Sequence, residues 1–309
     1  MKEIEIQDLC KSFEGREVLS HVSFTVEKGE VFGYLGPNGA GKTTTMRVLL
    51  GLLRPTSGKA LVRGSDLAVD DAARGSVGVL MENDGLYDKL TAWQNLDYYG
   101  RLYGVRERSE RTSQLLSAFG LADRRHEKVF NLSKGMRRKL GIARAIIHDP
   151  EILLLDEPTS GLDPEAQRMV RDVLKDLSRR ERMTVLLSSH NLDEVERVCS
   201  KVAVIKQGRL RAFDTVENLR VGRGGHALTL VLTKEQDATM VAELLRHDPS
   251  VTGTSVDGAR VIIDHDNEST SGILASVVRA GVGIEEALKA SRSLEDVYMD
   301  LVREQGTGA

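Results

Sequence analysis

Eight consecutive residues, Gly36-Pro37-Asn38-Gly39-Ala40-Gly41-Lys42-Thr43, set three glycines before a lysine and a hydroxyl. These types meet the needs of a bound phosphate. Glycines accept positive φ and close backbone approach, so successive N–H groups can converge on phosphate oxygens. A helix starting there adds partial positive charge. Lys42 supplies a full charge for β- and γ-phosphates, and the Thr43 hydroxyl can bind Mg²⁺. With Thr44 added, these residues form the expected ATP-binding loop.

Two further groups suit the same chemistry. Asp156 offers a hard oxygen for Mg²⁺, directly or through water. Glu157 can polarise an attacking water, and His190 can hold a γ-phosphate or orient that water. Each group lies at the end of a short apolar run: Val31 to Leu35 before the loop, Ile152 to Leu155 before Asp156, and Thr184 to Leu187 before Ser188-Ser189-His190. Continuous apolar runs are the mark of strands buried on both faces, and intervening helical segments predict a parallel, doubly wound sheet. Ligands of such sheets bind at the carboxyl ends of the strands, so three strand ends should deliver these groups to one edge.

The elements around them follow from periodicity and breakers. A helix is expected from Thr43 to Leu53, stopped at Arg54-Pro55-Thr56-Ser57-Gly58. From about residue 91 to 145 the chain reads as helical. Thr91 and Gln94 form a capping box before Leu96, Tyr99 and Tyr103, and the aromatics, Trp93 included, are assigned to a core. Val221-Gly222-Arg223-Gly224-Gly225 reads as a linker. Beyond it come a strand through Leu228, Leu230 and Leu232, a helical stretch, strands through Val256 and Val261–Ile263, and a helix at Ile273–Val278. A last helix, capped by Ser293 and Asp296, carries Leu294, Val297, Tyr298 and Leu301 on one face.

With these residues in order, the chain resembles the ATP-binding-cassette (ABC) ATPases. Leu132-Ser133-Lys134-Gly135-Met136 is similar to the family's signature motif and Ser160-Gly161-Leu162-Asp163 to its D-loop. Glu82, before Gly85-Leu86-Tyr87, falls where the family has its Q-loop glutamine, and Phe13 where a ring stacks on adenine. The resemblance covers residues 1 to about 220. It implies an α/β P-loop NTPase with a parallel core sheet, an antiparallel β part and a helical subdomain at about 88–145, in a domain of residues 1–220. Residues 221–309 would form a small C-terminal α+β domain.

The resemblance also implies a head-to-tail dimer, most simply a homodimer, in which ATP lies between one partner's phosphate loop and Ser133, Lys134, Gly135 and Met136 of the other. Asp163 serves as the D-loop carboxylate, and Thr43, Glu82 and Asp156 as the Mg²⁺ set. Ser133 and Gly135 would precede a helix from Met136 to Ala145, whose N-terminus faces the γ-phosphate. Lys134 either adds attraction for phosphate or points to solvent. Glu82 in place of glutamine keeps an oxygen but adds negative charge, which weakens metal-free nucleotide binding. The Lys-Gly-Met form and the ending Ser293-Leu294-Glu295-Asp296-Val297-Tyr298 resemble the branch that powers drug, antibiotic or ion exporters. The C-terminal domain would then stabilise the dimer or sense substrate.

Composition narrows the remaining classes. The 309 residues are 29% charged and 40% hydrophobic, with a net charge of −3, an ordinary globular balance with no general call for nucleic acid. The basic run Arg137–Lys139 is short and reads as a solvated helix face. Two cysteines fit a reducing cytosol rather than a disulfide framework. No signal region opens the chain, and no apolar run nears the ~20 residues that span a bilayer. Work at the cytoplasmic face of a membrane would therefore need a separate permease chain. An importer motor shares the chemistry. A soluble ABC protein of translation or DNA repair would show fused cassettes or long coiled coils, and a GTPase an Asn-Lys-x-Asp motif; neither is seen.

Overall fold

The computed structural model describes residues 2–181, 183–221, 226–265, 270–290 and 293–303, and the chain divides into two compact units, Met1–Thr215 and Val216–Ala309. The first unit opens with β1 (Lys2–Phe13), β2 (Arg16–Glu27) and β3 (Val31–Leu35), then α1 (Lys42–Leu49), β4 (Ser57–Val62), α2 (Asp71–Arg74) and β5 (Val77–Leu80). Three helices follow, α3 (Ala92–Leu102), α4 (Arg108–Ala118) and α5 (Lys134–Ala145). The unit closes with β6 (Ile152–Asp156), α6 (Pro164–Glu181), β7 (Thr184–Ser189), α7 (Leu192–Val198), β8 (Lys201–Lys206) and β9 (Arg209–Thr215).

Its main sheet has the order β5-β6-β7-β3-β8-β9, parallel except where β9 pairs antiparallel with β8. Every residue of β3, β6 and β7 is buried, which explains their uninterrupted apolar runs. A second, antiparallel sheet runs β2-β1-β4. Phe24 of β2 stacks on Phe32 of β3 with ring centroids 5.2 Å apart, so the two sheets share one core.

Helix α1 ends four residues before the expected stop. Gly51 takes φ 68°, its N–H donates to Val48 O at 2.9 Å, and Leu52 N–H donates to Arg47 O at 2.9 Å. That pair of bonds satisfies the last carbonyls, so the helix closes at glycine before proline is reached. A Cβ at Gly51 would meet the Leu67 and Ala68 backbone at 2.5 Å, which holds the position to glycine.

Helix α3 begins with the capping box foreseen: Gln94 N–H donates to Thr91 Oγ1 at 3.1 Å, and Thr91 N–H to Gln94 Oε1 at 2.9 Å. Its aromatics depart from the expected core in part, Trp93 and Tyr99 being half-buried. α3 buries Ala92, Asn95, Leu96 and Gly100, while Tyr98 and Tyr103 are 42% and 41% exposed. Tyr98 lies edge-on to Tyr87 and Tyr99, and Tyr103 stacks on His148.

The second unit contains α8 (Val216–Val221), β10 (His226–Leu232), α9 (Ala238–Arg246), β11 (Val251–Asp257), β12 (Arg260–His265), α10 (Ser271–Arg279), β13 (Ile284–Ala290) and α11 (Leu294–Arg303). Its sheet, ordered β11-β12-β10-β13, is wholly antiparallel. Leu228, Leu230 and Leu232 alternate onto one face and meet Val241, Leu245, Ile273 and Val277 of α9 and α10. Strand β13 was not anticipated. Ile-Glu-Glu-Ala-Leu-Lys-Ala is helix-favouring in composition, and pairing with β10 overrides that preference. Of the expected linker, Val221 ends α8 and residues 222–225 lie outside the described set. The expected α11 cap is described only at Ser293, whose carbonyl accepts from Val297 N–H at 3.3 Å; the side chains of Asp296 and Leu301 also lie outside that set.

Candidate functional site

The phosphate loop leaves β3 through Gly36, where a Cβ would strike Ile205 O at 2.4 Å. Gly39 and Gly41 take φ 79° and 110°, conformations that favour glycine, and Gly41 caps α1. Lys42, 6% exposed, folds back over the loop and donates to Gly36 O at 2.6 Å. Its Nζ also lies 3.2 Å from Glu157 Oε1.

Asp156 is the last residue of β6 rather than the first beyond it, and is 2% exposed. Thr43 Oγ1 donates to its Oδ2 at 2.9 Å, and Ser188 Oγ to its Oδ1 at 2.5 Å. The chain then turns sharply. Glu157 takes φ 50°, and its N–H donates to Ser188 O and Oγ at 3.2 and 3.1 Å. A positive φ on a residue with a side chain costs about 1–3 kcal/mol and persists only where its surroundings hold it. The turn brings the Glu157 carboxylate between Lys42 and His190, whose Nδ1 is 2.8 Å from Oε2.

A cleft of about 720 Å³ opens over these groups. Pro37, Asn38, Gly39, Gly41, Lys42, Thr43 and Thr44 line it on one side, and Glu82, Lys134, Asp156, Glu157 and His190 elsewhere. Thr43 and Asp156, with Glu82 on the same cleft, present the hard oxygen donors that Mg²⁺ takes.

Other expected site residues stand apart from it. Gly36 and Ala40 lie buried beneath the loop. Phe13 ends β1, 42% exposed, with Lys11 Nζ 4.8 Å above its ring. Ser133 caps α5, its Oγ accepting from Met136 N–H at 3.2 Å. Helix α5 starts at Lys134 and not at Met136, so Gly135 lies within its first turn, whereas the sequence predicts it ahead of the helix. A Cβ on Gly135 would meet Ala166 Cβ, Leu162 Cδ2 and Ser133 Oγ, each at 3.9 Å, an ordinary contact distance. Asp163 accepts from Ala166 N–H at 2.8 Å and caps α6. The Lys134 ammonium lies over Gly161 of the same segment.

The basic run on α5 is not a solvated face. Arg137 pairs with Asp84 at 3.0 Å and Asp88 at 2.5 Å. Arg138 turns inward and donates to Met81 O at 2.9 Å, Glu157 O at 2.7 Å and Pro158 O at 3.1 Å, and to Asp156 O. Burial draws its guanidinium below the ordinary value, against the pull of Asp156 and Asp84. Glu194, 3% exposed, was also missed; it accepts from Thr159 Oγ1 and, at 3.3 Å, from Ser189 Oγ. A clue for Arg138 lay in helical spacing, which puts it one turn before buried Ile142.

Residues 19–160 match the family described as ABC transporter. The chain is 35% identical over 305 residues to the uncharacterised ABC transporter ATP-binding protein YhcH of Bacillus subtilis (strain 168), covering 97% of this chain and 96% of that one. It is also 35% identical over 305 residues to the daunorubicin resistance ATP-binding protein DrrA3 of Streptomyces coeruleorubidus, covering 96% and 95%. A solved structure of the ATP binding subunit of an ABC transporter superposes with a TM-score of 0.63 at 32% identity, over 70% of this chain and 91% of that one.

Proposed function

We propose, from the premise that this chain belongs to the ABC transporter family as an ATP-hydrolysing subunit, that it drives export through a separate membrane-spanning partner. The observation that carries the hydrolytic part is the convergence of Lys42, Thr43, Asp156, Glu157 and His190 from the ends of the neighbouring strands β3, β6 and β7. Likeness to a daunorubicin resistance protein along nearly its whole length, C-terminal unit included, favours export.

Lys42 and the loop N–H groups bind the nucleotide phosphates. A phosphate entering the loop competes with Glu157 for Lys42, and the released carboxylate is then available to a water. Glu157 takes that water's proton as general base, while the His190 imidazole, 2.8 Å from its other oxygen, holds the carboxylate in place. Thr43, Asp156 and Glu82 hold Mg²⁺, which supplies charge to offset that developing on phosphate oxygens.

Ser133, Lys134, Gly135 and Met136 act on the nucleotide of a second copy, in a head-to-tail homodimer. The first turn of α5, capped by Ser133 and with Ser133 and Lys134 exposed, suits a γ-phosphate approached from outside. Closure is passed to the permease through the Glu82 loop and α3. Tyr99 Oη donates to Gly85 O at 2.5 Å, joining the two, and Tyr87 and Tyr98 are 46% and 42% exposed beside them. On this reading the chain works at the cytoplasmic face of a membrane, held by its partner.

Glu157→Gln tests the reading. Loss of a general base typically costs about 10² to 10⁴ in rate. Hydrolysis should fall by that order while ATP traps a stable dimer. Persistent hydrolysis from a chain that stays monomeric with ATP would overturn both the base assignment and the paired site.

A further inference from the structure

We propose that Arg138 is the positioning residue that holds the Glu157 turn and ties it mechanically to the Glu82 loop. A guanidinium carries five N–H donors in a rigid planar fork. Here that fork meets four carbonyl oxygens from two separate segments: Met81 O at 2.9 Å on one side, and Asp156 O, Glu157 O (2.7 Å) and Pro158 O (3.1 Å) on the other. Three successive carbonyls turned to one side repel one another, and a planar cation with several donors satisfies them together. The positive φ of Glu157 belongs to the same turn.

The guanidinium thus braces the backbone that presents Glu157 to Lys42 and His190. Its remaining bond reaches Met81, the residue before Glu82, across a gap that no β-ladder closes, because β5 ends at Leu80. A movement of the Glu82 loop therefore pulls on the carbonyls of residues 156–158. Arg138 also borders the cleft, and in this role it acts through the backbone of residues 156–158 and Met81. Lysine cannot replace it, since a single ammonium cannot span four acceptors in two segments.

The proposal rests on Glu157 as general base, and the test separates the two. In Arg138→Lys, kcat for ATP should fall about 10- to 100-fold, the scale of a misplaced catalytic group, while KM for ATP stays within about twofold. Hydrogen exchange supplies a readout independent of turnover. In the parent chain, ATP should slow amide exchange in residues 82–86 and 157–161 together; in the variant, the two segments should respond independently. Arg138→Gln, which keeps two N–H donors without the charge, serves in its place where the lysine variant does not fold. Unchanged kcat, or segments that still respond together, overturns the proposal. Persistent hydrolysis in Glu157→Gln overturns the base assignment instead, leaving the exchange result to judge Arg138.

Discussion

Two hydroxyls, from Thr159 and Ser189, donate to one oxygen of the Glu194 carboxyl, and its other oxygen is buried without a hydrogen bond. Burial disfavours the charged form and raises the pKa of this group above its ordinary value. The folded chain therefore holds the proton more tightly than the unfolded chain does. The stability this contributes is complete below the unfolded value and is lost as pH rises through the raised one. Unfolding by urea between about pH 5 and pH 8 should show the parent losing stability relative to Glu194→Gln as pH rises; the opposite slope would mean a carboxylate stabilised by charge. Glu82 makes a second case. Its negative charge lies on the phosphate cleft, so Glu82→Gln should tighten ATP binding in EDTA and have a smaller effect with Mg²⁺ present, as titration calorimetry would read. Glu82 was visible beforehand because its neighbours define a motif. Arg138 and Glu194 were not, because a charged residue in sequence reads as solvent-facing until the backbone carbonyls and hydroxyls around it are placed in space.

Local chemistry decided which elements could be read. The capping box of α3 was legible because both partners sit within four residues, and Thr91→Ala should lower the free energy of unfolding by about 1 kcal/mol in a urea titration. An effect below a few tenths would mean that α3 is held by packing alone. The runs behind β3, β6 and β7 were legible because burial on both faces leaves no polar alternation. Strand β13 was not, since its exposed edge position tolerates Glu285, Glu286 and Lys289 and only the ladder to β10 makes it a strand. The end of α1 was misplaced because Arg54-Pro55 is a stronger breaker on paper than Gly51. Gly51→Ala should destabilise more than the usual strain of a positive φ, because its Cβ would also meet the Leu67–Ala68 backbone at 2.5 Å. A loss of under about 1 kcal/mol would show that the backbone there gives way.

The division into Met1–Thr215 and Val216–Ala309 carries a thermodynamic consequence for the whole chain. Each unit has its own core, one built on β1, β2 and the main sheet, the other on Leu228, Leu230, Val261 and Ile263. Separate cores allow separate unfolding, and a ligand stabilises only the unit that binds it. The phosphate loop, Asp156, Glu157 and His190 all belong to the first unit. A nucleotide at about 100 times its Kd should add roughly 2.7 kcal/mol to that unit and nothing directly to the other. Scanning calorimetry of the Glu157→Gln chain, which keeps ATP intact during the scan, should then resolve two transitions, only one of which rises with ATP. Lys42→Ala should remove the rise and leave the second transition where it was. A single transition that moves as one with ATP would mean instead that the two cores fold as one cooperative body. The C-terminal unit would then share directly in whatever the nucleotide does.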